Sequence, residues 1–132
     1  MDKIKKIEIE LVGHKDQRYE TVGDYYLTED GTMKIRCSRM DDVRHSFLVA
    51  VHELVEVLLV GQDGVKEEDI TAFDVTFERA REPGNIDEPG DDPSAPYVRQ
   101  HCFATAVERM MCAALGCSWK EYDAAVNALS QD

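Results

Sequence analysis

No apolar run in this chain approaches the ~20 residues that a membrane-spanning helix needs, so none is expected to cross a bilayer. Internal repeats and low-complexity tracts are missing as well. The four cysteines, Cys37, Cys102, Cys112 and Cys117, form no C-x-x-C pair, and Cys102 and Cys112 fall in a stretch read as a buried helix; free core thiols are expected rather than disulfides. Basic charge is scarce. The net charge is -12, and it is uneven: residues 1–45 carry 9 basic and 10 acidic side chains, residues 46–132 carry 6 and 17. Such a field repels phosphates, which argues against direct DNA or RNA binding. The opening M-D-K-I-K-K-I-E-I-E lacks the apolar core of a signal peptide, and a cytoplasmic location is expected. What remains, 132 residues at 43% hydrophobic and 32% charged, matches one soluble domain spanning the chain.

Residues 4–12 alternate Ile7, Ile9 and Leu11 with Glu8 and Glu10, the period of a half-buried strand. A second extended run follows at about Tyr19 to Leu27. Asp30-Gly31 supplies a tight turn, and Met33, Ile35 and Cys37 continue the alternation. An antiparallel meander of about three strands is expected. Asp41 or Asp42 can then cap a helix starting near Val43, with Gly61 placed to end it. A packing helix is expected over 67–81. All four prolines lie in 82–96, a long acidic loop that is either a lid touching substrate or a solvated connection. Its Asp87, Glu88, Asp91 and Asp92 do not follow the order of an EF-hand. Pro96 suits the start of a helix running to about Leu115 and stopped by Gly116, with Met110-Met111 as core filler. Ser118 and Glu121 have capping-box spacing for a last helix that turns Trp119, Tyr122, Val126 and Leu129 to the core. The fold class is therefore α+β, three strands followed by three to four helices.

Chemistry concentrates in Phe47 to Val60, F-L-V-A-V-H-E-L-V-E-V-L-L-V, apolar except for His52, Glu53 and Glu56. A helix apolar on all sides is normally buried, and a buried imidazole and carboxylate need partners. His52 and Glu56 lie one turn apart on one face, the spacing of two ligands to one metal ion, and Glu53 is left as a candidate base. The later helix carries a comparable stripe of His101, Thr105, Glu108 and Cys112. If the two stripes face each other, His52, Glu56, His101 and Glu108 meet in a dry setting. The plainer readings are a solvated His52/Glu56 contact and a hydrogen-bonded core histidine at 101. His45 is expected at the surface, and His14 sits in a polar turn without a signal.

His52-Glu53-Leu54-Val55-Glu56 resembles the H-E-x-x-H helix of the zincin metallopeptidases, with Glu for the second His. The order of strands, helix, loop and second ligand-bearing helix is similar to the minimal zincin-like core. V-H-E-L-V-E-V-L-L with E-P-G-D-D-P-S-A-P-Y and H-x-F-A-T-x-x-E-R also resembles small phage- or prophage-encoded proteins of unassigned role, across roughly residues 43–115. The resemblance implies Zn²⁺ held by His52, by Glu56 in place of the second histidine, and by a third ligand from the later helix. His101 is preferred there, which leaves Glu108 to orient the imidazole; Glu53 is the base that activates the attacking water. A carboxylate ligand lowers the Lewis acidity of the ion, and with it the expected hydrolytic power.

Three functions follow as expectations. The first is a zinc-dependent, peptidase-type hydrolase, its peptide substrate added along a sheet edge. The second is a catalytically inactive metal-binding interaction protein that acts on a protein partner. The third is a Mg²⁺-dependent nucleotide pyrophosphohydrolase using Glu53 and Glu56, which lacks a downstream E-x-x-D and a basic phosphate cradle.

Overall fold

The computed structural model describes residues 3–129. Its first third is a three-stranded sheet of β1 (Lys6–Val12), β2 (Gly23–Leu27) and β3 (Thr32–Ser38). β2 and β3 form the hairpin signalled by Asp30-Gly31. Gly31 has φ +89°, and a Cβ there would fall 2.7 Å from the Lys3 carbonyl oxygen, so the turn demands glycine. β1, however, pairs with β3 in parallel, giving the order β1-β3-β2. The expected antiparallel meander is thus corrected to a mixed sheet with β1 and β2 at its edges.

The link 13–22 explains the difference. It opens with a 3₁₀ turn at His14–Asp16 and carries the chain past the place that β3 later fills. His14 Nδ1 lies 2.8 Å from Ser38 Oγ, pinning the link to the end of β3. Ile35 and Cys37 of β3 are 0% exposed, so this strand has the most to gain from the central position. β1 alternates isoleucine with charge, which suits an edge. Ile7 and Ile9 face the same side as Met33 and Ile35 but stay 48% exposed, so the half-burial expected of β1 is reached only towards Leu11.

α1 (Val43–Asp63) leaves β3 almost directly, capped by the Asp42 carboxylate, which accepts from the Arg44 N–H at 3.0 Å. Gly61, the expected stop, lies inside the helix; termination comes at Gly64, whose left-handed φ of +71° lets its N–H cap the carbonyls of the last turn. α2 (Glu67–Arg79) ends two residues early, and Arg81 turns back to pair with Glu78. α3 (Val98–Ala114) is followed by Gly116 with φ +72°. α4 (Trp119–Leu129) starts with Ser118 Oγ accepting from the Glu121 N–H at 3.2 Å, as the capping-box spacing implies. The expected α+β class with three to four helices is borne out, with four among the described residues.

α1 packs over β3 and β2 on one side and against α3 on the other. The two helices run antiparallel, since Arg44 reaches the Leu115 carbonyl and Gln100 reaches Asp63. Between them and the sheet, Met33, Ile35, Cys37, Leu48, Val57 and Cys112 form the core. A side chain such as Leu48, 0% exposed, contributes about 1.5–3 kcal/mol by burial. A second cluster of Val60, Ile70, Ala95 and Tyr97 ties α2 and the end of the loop to α1. Burial is less complete than the sequence implied. Phe47 and Leu58 on α1 and Met110 and Met111 on α3 are exposed, and so is Cys102, which corrects the reading of these positions as core. α3 is covered mainly on its α1 side, so positions away from the His101–Glu108 stripe reach solvent.

Candidate metal centre

The antiparallel pairing of α1 and α3 brings the two polar stripes face to face. His52 Nε2 lies 2.9 Å from Glu56 Oε2, His101 Nδ1 lies 2.9 Å from the same oxygen, and the two nitrogens are 3.2 Å apart. His52, Glu56 and His101 are all buried, and this trio could hold a metal ion. The geometry fits one. Ligands around a tetrahedral Zn²⁺ at about 2.0–2.2 Å stand about 3.3–3.6 Å apart, so this triangle needs to open by only a few tenths of an ångström. The solvated His52/Glu56 contact is excluded by the burial of both residues.

Each imidazole is held on its outer nitrogen by a carboxylate. His52 Nδ1 is 2.7 Å from Glu108 Oε1, and the Tyr122 hydroxyl donates to Glu108 Oε2 at 2.5 Å. His101 Nε2 is 2.9 Å from Glu88 Oε2 and 3.3 Å from Asp91 Oδ1. Carboxylate-backed histidines of this kind are the usual second layer of a metal site, fixing ring plane and tautomer. Glu108 therefore orients an imidazole, as the sequence implied, but that of His52. Burial pulls both imidazole pKa values down, yet the hydrogen bonds to Glu108 and Glu56 push His52 up to about 11, and those to Glu56 and Glu88 push His101 up to about 10. Burial raises the Glu56 pKa, but the two rings facing its carboxylate bring it below the ordinary range.

Glu53 stands apart from the trio. It turns toward β2, and a Cβ built on Gly23 would fall 2.5 Å from Glu53 Oε1, so the missing side chain of Gly23 makes room for this carboxyl. Burial, then repulsion from Glu56, raises the Glu53 pKa. Tyr25, on the same strand, donates its hydroxyl to Glu56 Oε1 at 2.9 Å. All of these groups line a cleft of about 920 Å³, whose other walls come from residues 18–25, α2 and the 82–91 part of the loop.

No family model, curated protein or solved structure matches this chain. The site is thus read from its own geometry.

His52, Glu56 and His101 meet as the sequence implied, with Glu108 behind them and Glu53 beside them. His45 does not join. Contrary to the exposure expected of it, its side chain is 12% exposed, and its ring lies 5.3 Å from that of Tyr122. The loop 82–96 is mostly solvated, but Pro89–Asp91 makes one 3₁₀ turn where no regular structure was expected. There Gly90 is buried against His101: a Cβ on it would overlap the ring at Cγ and Nδ1. Among the loop's acids, Glu88 and Asp91 gather at His101, while Asp92 accepts from the Ser94 N–H at 2.9 Å. Tyr25, Tyr122, Glu88 and Gly90 were missed by sequence reasoning. The two tyrosines sit at core-facing positions of regular elements and look like ordinary packing. Only the E-P-G triplet that holds Glu88 and Gly90 marked a tight approach of backbone to something.

Proposed function

We propose that the chain is a zinc-dependent hydrolase of peptide-type bonds, with His52, Glu56 and His101 as ligands and Glu53 as the base. One observation carries this reading: His52 Nε2, Glu56 Oε2 and His101 Nδ1 converge within 3.2 Å of one another beside a carboxyl left outside the triangle, in an open cleft. Zn²⁺ bound there supplies Lewis acidity, polarising a carbonyl and lowering the pKa of water. Glu53 accepts a proton from the attacking water on its carboxylate and passes it to the leaving nitrogen. Burial and repulsion from Glu56 raise the Glu53 pKa in the metal-free protein, so this reading requires the carboxyl to be ionised once the ion is bound. Glu56 adds negative charge where a zincin has a second histidine; the Tyr25 hydroxyl offsets part of it by donating to Oε1. The sheet, the ligand-bearing helix and the third ligand from a later helix support the zincin-like resemblance.

The cleft favours a cationic substrate. Glu67, Asp74, Asp87 and Glu88 lie on its walls, while its three arginines are already engaged: Arg18 with Asp24, Arg81 with Glu78, and Arg109 over the Trp119 ring. An extended peptide carrying Lys or Arg fits along the free edge of β2, which borders the cleft. The same walls repel nucleotide phosphates, and a nitrogen-rich ligand set suits Zn²⁺ rather than Mg²⁺, so the pyrophosphohydrolase reading has little to support it.

The test is peptide hydrolysis by the zinc-loaded chain. Glu53→Gln is expected to lower turnover about 10²–10⁴-fold while leaving zinc stoichiometry unchanged. Cleavage that survives the change rules Glu53 out as the base. The second reading, a non-catalytic metal-binding interaction protein, draws on the same raised Glu53 pKa: if the carboxyl stays protonated with zinc bound, no base is available. A chain that binds zinc and cleaves no cationic peptide decides for it.

A further inference from the structure

The substrate cleft uses one edge of the sheet; the other edge, β1, lies far from it in the strand order, and among the described residues no strand pairs beyond it. Lys6 donates its N–H to the Gly31 carbonyl, and the Val12 carbonyl accepts from the Arg39 N–H at 2.6 Å, so the even-numbered residues of β1 turn their backbone groups toward β3. Backbone direction alternates along a strand, which sends the N–H and C=O of Ile7 and Ile9 outward. Their side chains are 48% exposed each, on the side of the sheet that carries Met33 and Ile35. Lys6, Glu8 and Glu10 occupy the opposite face.

We infer that this edge binds a second copy of the same chain, β1 against β1 antiparallel, with the two-fold axis at Glu8, joining two sheets into one of six strands. The order of residues supplies the argument. With the axis at Glu8, Ile7 stands opposite Ile9 of the second copy, Lys6 stands opposite its Glu10, and both pairs recur on the far side of the axis. Because Ile7 and Ile9 both point their backbone groups outward, each pair exchanges N–H···O bonds. Of the neighbouring symmetric registers, an axis at Ile9 sets Glu8 against Glu10 twice. An axis at Ile7 keeps Lys6 opposite Glu8 but leaves Ile9 facing Lys5 and Glu10 facing Ile4. The axis at Glu8 pairs both isoleucines and leaves only Leu11 facing Lys5. The one like-charged contact, Glu8 with its own copy, is neutralised in each chain by Lys6 at 2.6 Å and Lys34 at 3.2 Å. Charges often guard a free edge against pairing. Here their sequence makes the edge complementary to itself.

Sedimentation equilibrium of the full chain tests this, with circular dichroism as the check on folding. The wild type is expected to associate to twice its 14.9 kDa. Lys6→Glu sets acid against acid across the axis and Glu10→Lys sets base against base, so each alone is expected to weaken dimerisation about tenfold or more. Mixing the two variants sets the acids of one chain against the bases of the other at both pairs and is expected to restore the dimer as a heterodimer. A wild type that stays monomeric overturns the proposal. So does a dimer that neither reversal weakens, or two weakened variants that fail to associate when mixed.

Discussion

His52 and His101 stand 3.2 Å apart, yet they are held by different kinds of structure. The outer nitrogen of His52 meets Glu108 of α3, itself fixed by Tyr122 of α4, so its support comes from helices packed around the core. The outer nitrogen of His101 meets Glu88 and Asp91, whose side chains are 54% and 57% exposed on the loop, and its ring rests on the backbone of Gly90. One half of the site is as rigid as the core; the other depends on a loop that must keep its shape. The difference separates the histidine whose position is part of the fold from the one whose position can be disturbed without unfolding anything.

Removing the rigid half has the largest expected effect. His52→Ala takes away a ligand and leaves Glu108 and Glu56 facing each other without a ring between them; zinc affinity, read by competition with a chromophoric chelator, is expected to fall more than about 100-fold, beyond the range of lost second-layer contacts. A smaller change follows pH. Both histidines have folded pKa values above their ordinary 6.5, at about 11 and about 10, so both are protonated in the metal-free protein at neutral pH. Their stabilising contribution to that form is full below about pH 6.5 and is lost as pH rises through about 10 and 11. Zinc must displace those protons, so its affinity moves the opposite way, rising by up to about a hundredfold per pH unit when two protons leave together. Titration calorimetry in buffers of different ionisation enthalpy counts them.

The remaining predictions set the two halves against each other. Glu108→Gln is expected to cost about 10–100-fold in zinc affinity and to lower the melting temperature, because the residue is buried and carries the Tyr122 hydroxyl. Gly90→Ala, which drives a methyl group into the His101 ring, is expected to cost a comparable factor in affinity with little change in melting temperature. Glu88→Gln is the mildest, nearer about tenfold, since its carboxylate is half in water and Asp91 stands by. Equal thermal destabilisation by Glu108→Gln and Gly90→Ala would erase the distinction between the halves.

The same distinction tracks what was legible in the chain. His52 and Glu56 one turn apart, and His101 and Glu108 seven residues apart, announce a shared face because helical geometry is periodic; that the two faces meet follows from the need of buried imidazoles and carboxylates for partners. Nothing periodic links Glu88 to His101, and Tyr25 reaches Glu56 only because β2 lies at the edge next to α1. That placement turns on the parallel pairing of β1 with β3, a long-range choice that the alternation of Ile7 and Ile9 cannot reveal. The burial of α1 was overread for a related reason: a helix apolar all round names no neighbour for each face, and Phe47 and Leu58 stay exposed.

Zinc-edge anomalous diffraction from crystals grown with the ion is the most direct test of the metal centre. The expected result is one peak about 2.0–2.2 Å from His52 Nε2, Glu56 Oε2 and His101 Nδ1. An empty triangle, or a peak held instead by Glu88 and Asp91 on the outer side of His101, would contradict it.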